Sequence, residues 1–131
     1  MRKTGKIKAL VVDDSAFNRG AITRMLSAAG DIEVVGFATD GVDAIAKTLQ
    51  LAPDVITLDL EMPNMDGYTF LRWVMKDQPT PVLVLSARAD SRSVFRALEL
   101  GAVEFVAKPE ARISKSIESI GDELLAKVRG M

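Results

Sequence analysis

The sequence predicts an α/β protein: a parallel five-stranded sheet of (βα)5 form, covered by helices on both faces so that the domain is three layers thick. Two observations carry this. Runs of strand length, most of them apolar at nearly every position, recur five times along the chain, as expected for strands buried on both faces. Segments of helical spacing separate them without a break in the alternation, and strict βα alternation implies right-handed crossovers between parallel neighbours.

In order, the strand-type runs are Ile7 to Val12, Glu33 to Phe37, Val55 to Leu58, Val82 to Leu85 and Val103 to Val106. The first helical stripe is Ile22, Met25, Leu26 and Ala29; the second is Val42, Ile45, Ala46 and Leu49. Phe70, Leu71 and Val74 make the third, Val94, Ala97 and Leu98 the fourth, and Ile113, Ile117, Ile120, Leu124 and Val128 the fifth. Each stripe gives a helix one apolar face to lay on a sheet. Ser15, Asp40 and Asp66 precede the first three helices, where a side-chain oxygen can accept the unpaired amide protons of a first turn.

At 131 residues and 48% hydrophobic, with no linker or repeat, the chain is expected to form a single domain over 1–131. Lys and Arg number 17 against 18 Asp and Glu, without a block of like charge. No nucleic-acid or membrane partner is expected from that balance. The absence of Cys and His excludes disulfides, thiol nucleophiles, Ser-His-Asp triads, the usual zinc sites and a phosphohistidine relay within the chain. The first residues lack the apolar run of a signal peptide, so a cytoplasmic protein is expected.

What remains is carboxylate, hydroxyl and lysine chemistry, and it gathers at the strand ends. The first strand runs into Asp13-Asp14-Ser15, the third into Asp59, the fourth into Ser86 and the fifth into Ala107-Lys108-Pro109. Parallel strands aim their carboxyl ends the same way, and that edge is where open α/β sheets bind ligands. Asp13, Asp14 and Asp59 would repel one another in a partly desolvated cleft. A divalent cation resolves the repulsion, and oxygen ligands alone suit Mg²⁺ or Mn²⁺. Taken singly, the acid pair also reads as a helix N-terminal cap, Ser86 as a turn cap and Lys108 as a solvated surface residue. Taken together, the groups make an acceptor for a phosphoryl group: Asp59 as nucleophile, the metal neutralising the transferring oxygens, Ser86 donating to one of them and Lys108 pairing with another.

The motifs VVDDS, LDLEMPNMDG, VLSA and FVAKP, in that order and on those strand ends, resemble the receiver domain of two-component response regulators over essentially the whole chain. The resemblance implies a flavodoxin-like sheet of order 2-1-3-4-5. It implies Asp59 as phosphoacceptor, Asp14 as direct metal ligand, Asp13 as an acid acting on the metal mostly through water, and the backbone carbonyl of Glu61 as a further ligand. Ser86 then occupies the switch hydroxyl position, Lys108 the family's lysine position, and Lys108-Pro109 is expected to be cis. Phe105, three residues before the lysine, falls at the switch aromatic; a purely core role is the competing reading. Within the family, DIEVVG, TPVLVLSA and ELGAVEFVAKP look most like the receiver of the chemotaxis methylesterase. The chain lacks that enzyme's catalytic domain, which leaves open a stand-alone regulator or a receiver cut from a longer protein.

Glu61 and Arg88, two residues after Asp59 and Ser86, suggest an ion pair shielding the acyl phosphate from water; an exposed pair that shields nothing is the alternative. The expected partners are a sensor histidine kinase and a downstream protein or missing effector domain, reached through the surface from about Ser91 to Met131. There, Arg92, Arg96, Glu99 and Glu104 read as solvated charge. A monomer or a weak phosphorylation-dependent dimer is expected. Two other functions compete. An aspartate-nucleophile phosphatase would need a D-x-D-x-T pattern, which neither Asp59-Leu60-Glu61 nor Asp13-Asp14-Ser15 matches. A receiver-like binding module that is never phosphorylated would have no need of the full set of acids, hydroxyl and lysine.

Overall fold

The computed structural model describes residues 5–62, 65–86, 91–108 and 117–131, the side chains of 91, 117 and 118 excepted. The elements alternate as β1 Ile7–Val12, α1 Ala16–Ser27, β2 Ile32–Ala38, α2 Gly41–Leu51, β3 Val55–Asp59, α3 Gly67–Asp77, β4 Val82–Ser86, α4 Ser91–Glu99 and β5 Glu104–Ala107. A 3₁₀ turn, Ile117–Ile120, then leads into α5 Gly121–Arg129. The five strands form one sheet of order β2-β1-β3-β4-β5, every neighbouring pair parallel. This is the flavodoxin-like order that the motifs implied.

Alternation along each strand divides the core between the two faces of the sheet. On one face Ala9, Val11, Val55, Leu83, Leu85 and Val106 pack against Ile22 and Leu26 of α1 and Leu124 and Val128 of α5. On the other, Leu10, Val12, Ile56, Leu58, Val82 and Val84 meet Ala44 of α2, Phe70, Leu71 and Val74 of α3, and Ala97 of α4. Two covered faces explain why β3 and β4 are buried at every position.

The three expected caps are in place: Ser15, Asp40 and Asp66 accept the amide protons of Asn18, Asp43 and Thr69. The stripe read for the second helix is corrected in part: Ile45 packs against the core, but its other three members do not. Val42 and Leu49 are 60% and 58% exposed, Ala46 is exposed too, and α2 buries Gly41, Ala44 and Thr48 instead. Close packing sets this rotation, since a Cβ on Gly41 would lie 2.5 Å from the Cβ of Met65. Thr48 can be buried because its hydroxyl donates to the Ala44 carbonyl at 2.7 Å. On α4, Leu98 likewise faces outward, beside exposed Phe95. Ile113 of the fifth stripe lies outside the described residues.

Thr57, in the middle of β3, is fully buried, and its hydroxyl has no hydrogen-bond partner among the described residues. A buried hydroxyl left unpaired costs on the order of 1–3 kcal/mol. Thr57→Val, which keeps the shape and removes the polar atom, is expected to raise stability by about 1 kcal/mol. The denaturant midpoint should rise at unchanged slope, whereas a fall would show that the hydroxyl has a partner.

Candidate functional site

The sheet delivers the predicted groups to one edge. Val12 of β1 pairs with Leu58 of β3, Asp59 with Leu85 of β4, and Ser86 with Ala107 of β5. The next residues, Asp13 and Lys108, therefore stand at the carboxyl edge with Asp59 and Ser86. The strands remain joined past their ends, through Leu60 N–H to the Leu85 carbonyl and Lys108 N–H to the Ser86 carbonyl. The Asp59 loop then folds back tightly. Gly67 N–H donates to the Leu60 carbonyl, and a Cβ on Gly67 would lie 2.7 Å from Leu60 Cα and 2.9 Å from the Asp59 carbonyl oxygen. Glycine is required there by backbone against backbone.

Carboxylate oxygens of Asp13, Asp14 and Asp59 all lie within 4.8 Å of one another. Asp13 and Asp59 are buried and Asp14 is exposed. Asp13 has both oxygens engaged: Oδ1 accepts from Ser15 N–H at 2.9 Å and Oδ2 from Lys108 Nζ at 2.8 Å. Lys108 Nζ also stands 3.3 Å from Asp59 Oδ1, which accepts in addition from Glu61 N–H at 3.2 Å. With all three acids ionised, three negative charges face one ammonium and two remain, the charge of one divalent cation. The donor set, oxygen only and one carboxylate open to solvent, suits Mg²⁺ or Mn²⁺.

Electrostatics mark Asp59 as the perturbed group. Burial drives its pKa from 3.8 up to about 7; Asp13 and the Glu61 carboxylate push the same way, while Lys108 and the Glu61 N–H pull it down. For Lys108, burial favours the neutral amine, but Asp13 and Asp59 overcome it and hold the ammonium above its ordinary range. An acid desolvated among other acids beside a lysine is the kind of group found at reactive sites.

The family's sequence profile, "Response regulator receiver domain", matches residues 9–118. The chain belongs to that family. Among receivers, the solved response regulator domain of Thermotoga maritima CheB is 42% identical and superposes with a TM-score of 0.89 over 95% of each chain. A protein-glutamate methylesterase/protein-glutamine glutaminase of Geobacter sulfurreducens is 55% identical over 96% of this chain and 34% of its own length. One from Myxococcus xanthus is 49% identical over 98% of this chain and 37% of its own length. The receiver thus spans about a third of the length of these curated relatives. Receiver domains generally bind Mg²⁺ through an acidic cluster, and Asp13, Asp14 and Asp59 fit it.

Three contacts went unanticipated in the sequence. The Ser86 hydroxyl donates to Glu61 Oε2 at 2.6 Å, although only the Glu61 carbonyl and a pairing with Arg88 were expected to matter. Arg19 donates to the Asp13 carbonyl at 3.0 Å and covers the Phe37 ring at 4.9 Å, and no motif signals either contact. Phe105 is half-buried and packs on the α3/α4 side of the sheet. Two charges read as solvated have partners: Arg96 lies 4.2 Å over the Tyr68 ring, and Glu104 is 3.6 Å from Lys127. Arg88 and Pro109 lie outside the described residues, and with them the Glu61–Arg88 pair and the cis peptide.

Proposed function

We propose that this receiver accepts a phosphoryl group on Asp59 from the phosphohistidine of a sensor histidine kinase, in a reaction that depends on Mg²⁺ or Mn²⁺. The observation that carries the reading is the convergence of Asp59, Lys108 and the Asp13–Asp14 pair at one sheet edge. A carboxylate oxygen of Asp59 attacks phosphorus, the phosphorus–nitrogen bond breaks, and the histidine nitrogen leaves with the electron pair and regains a proton. These 131 residues hold no histidine, so the phosphoryl donor lies outside them. Lys108, already between Asp13 and Asp59, pairs with a phosphoryl oxygen, and Ser86 donates to another. A cation held by Asp13, Asp14, Asp59 and the Glu61 carbonyl supplies charge neutralisation when bound. The exposure of Asp14, against Asp13 with both oxygens engaged, supports Asp14 as the direct ligand and Asp13 as the indirect one.

The signal leaves through Ser86 and Phe105 toward α4, β5 and α5, where Phe95, Leu98 and Val103 present apolar surface. Its recipient is a downstream protein or an effector domain, and the similarity to methylesterases supports control of chemotaxis-type receptor demethylation. Among the described residues no helix is long and apolar enough to cross a membrane, and a cytoplasmic setting follows from the kinase partner. Single-domain organisation over 1–131, as a monomer or a weak phosphorylation-dependent dimer, completes the reading. A CheX-CheY-BeF3-Mg complex from Borrelia burgdorferi, whose matched chain is 30% identical with a TM-score of 0.83, suggests the test. Incubated with Mg²⁺ and acetyl phosphate, the protein is expected to gain a single hydroxylamine-labile phosphate, and with chelator none. Continuous release of phosphate on a catalytic timescale would show a phosphatase, and no modification at all a receiver-like binding module.

A further inference from the structure

In this structure the hydroxyl at the switch position already has a partner. Ser86 is fully buried, and its Oγ donates to Glu61 Oε2 at 2.6 Å across 25 residues of sequence. A serine hydroxyl carries one proton and a carboxylate can only accept. Charge-assisted bonds of this length are among the stronger ones. We propose that Glu61 is the positioning residue of Ser86: it holds the hydroxyl proton in the resting state, so a phosphoryl oxygen on Asp59 must displace a carboxylate to obtain it. This rests on Asp59 being the phosphoacceptor.

The local geometry fits such a latch. Glu61 is tied to the acceptor by its own backbone, since its N–H donates to Asp59 Oδ1. Its side chain reaches across to β4, whose last residue Ser86 is bonded through its carbonyl to Lys108 N–H. The Ser86 backbone is thereby fixed by the sheet. Switching then passes the hydroxyl proton from one anionic acceptor to another, and the resting acceptor sets how readily the phosphorylated arrangement forms. Gln in place of Glu61 still offers an oxygen, but a neutral and weaker one. The exposed position of Glu61 lets the substitution fold.

The test is a double-mutant cycle on beryllofluoride binding in Mg²⁺, followed by amide chemical shifts of Ser86 and Phe105, in wild type, Glu61→Gln, Ser86→Ala and the double variant. Glu61→Gln is expected to tighten binding roughly tenfold when Ser86 is present and to leave affinity unchanged in the Ser86→Ala background. An equal gain in both backgrounds would mean simple repulsion between Glu61 and the ligand and would overturn the latch, as would unchanged or weaker binding by Glu61→Gln. Failure of the wild type to bind beryllofluoride would overturn the phosphoacceptor reading itself, a result distinct from either.

Discussion

Asp59→Asn is expected to abolish phosphoryl uptake from acetyl phosphate while making the metal-free protein more stable at pH 8. The loss of chemistry follows from replacing a carboxylate nucleophile with an amide. The gain in stability follows from the same burial that makes the residue reactive. Asp59 has its pKa raised from 3.8 to about 7, so the folded protein favours its protonated form. Below about pH 4 both folded and unfolded chains hold the proton and the residue contributes no difference. As pH rises from about 4 to about 7 the unfolded chain releases the proton first, and stability falls until the folded value is passed. Asn stays neutral throughout. The variant should match the wild type near pH 4 and exceed it at pH 8 by about 2 kcal/mol after allowance for screening, or roughly 6 °C in Tm. Added Mg²⁺ should reverse the order, because only a protein with the complete carboxylate set gains the full mass-action stabilisation. Thermal melts at pH 4, 6 and 8, with chelator and with Mg²⁺, check each part. A variant less stable than wild type at pH 8 in chelator would show that burial of Asp59 is not a net cost to folding.

Lys108→Ala should act in the opposite sense. Lys108 is the ammonium between Asp13 and Asp59, at 2.8 and 3.3 Å, with only 8% of its side chain exposed. Its removal leaves two buried acids facing Asp14 without that countercharge. Breaking a buried pair from one side costs about 3–5 kcal/mol, and here the loss should depend on pH. Near pH 5 the Asp59 carboxyl keeps its proton in wild type and variant alike; near pH 8 the wild type has released it beside Lys108, whereas the variant, without the ammonium that pulls the pKa down, must hold the proton or bear an uncompensated charge. The destabilisation measured by chemical denaturation should therefore be greater at pH 8 than at pH 5, and Mg²⁺ should recover part of it. An equal loss at both pH values would trace the effect to packing of the lysine's methylene chain. Phosphoryl uptake should slow by about a hundredfold, the usual scale for removing one charged stabiliser of a transferring group. The two variants thus divide the site: Asp59 is destabilising and reactive, Lys108 stabilising and supportive.

Much of this was legible in the residues because local rules and tertiary demands agree. Asp40 and Asp66 cap the helices they precede, and the apolar runs of β3 and β4 are buried at every position. Where several elements compete, the sequence was ambiguous. In α2, Val42 and Leu49 offered as good an apolar stripe as any, yet the small face of Gly41, Ala44 and Thr48 turned inward. Only that face lets α2 approach Met65, a residue from another segment. Within the site, spacing brought Asp13, Asp14, Asp59, Ser86 and Lys108 to one edge, but could not say which of them pair. That Lys108 lies between two acids and Ser86 bonds to Glu61 depends on side-chain directions at the ends of different strands.

The sequence by itself determined the alternation of strands and helices, the groups at each strand end and, through four ordered motifs, the family. Those are properties of local periodicity and of one residue per strand terminus, and a parallel sheet converts them directly into position. The tertiary structure alone decided the face α2 buries, the protonation bias of Asp59 and the partner of the Ser86 hydroxyl. Each depends on how closely groups from separate segments approach in a medium with little water, and burial and distance across the fold are not written in any local stretch of chain.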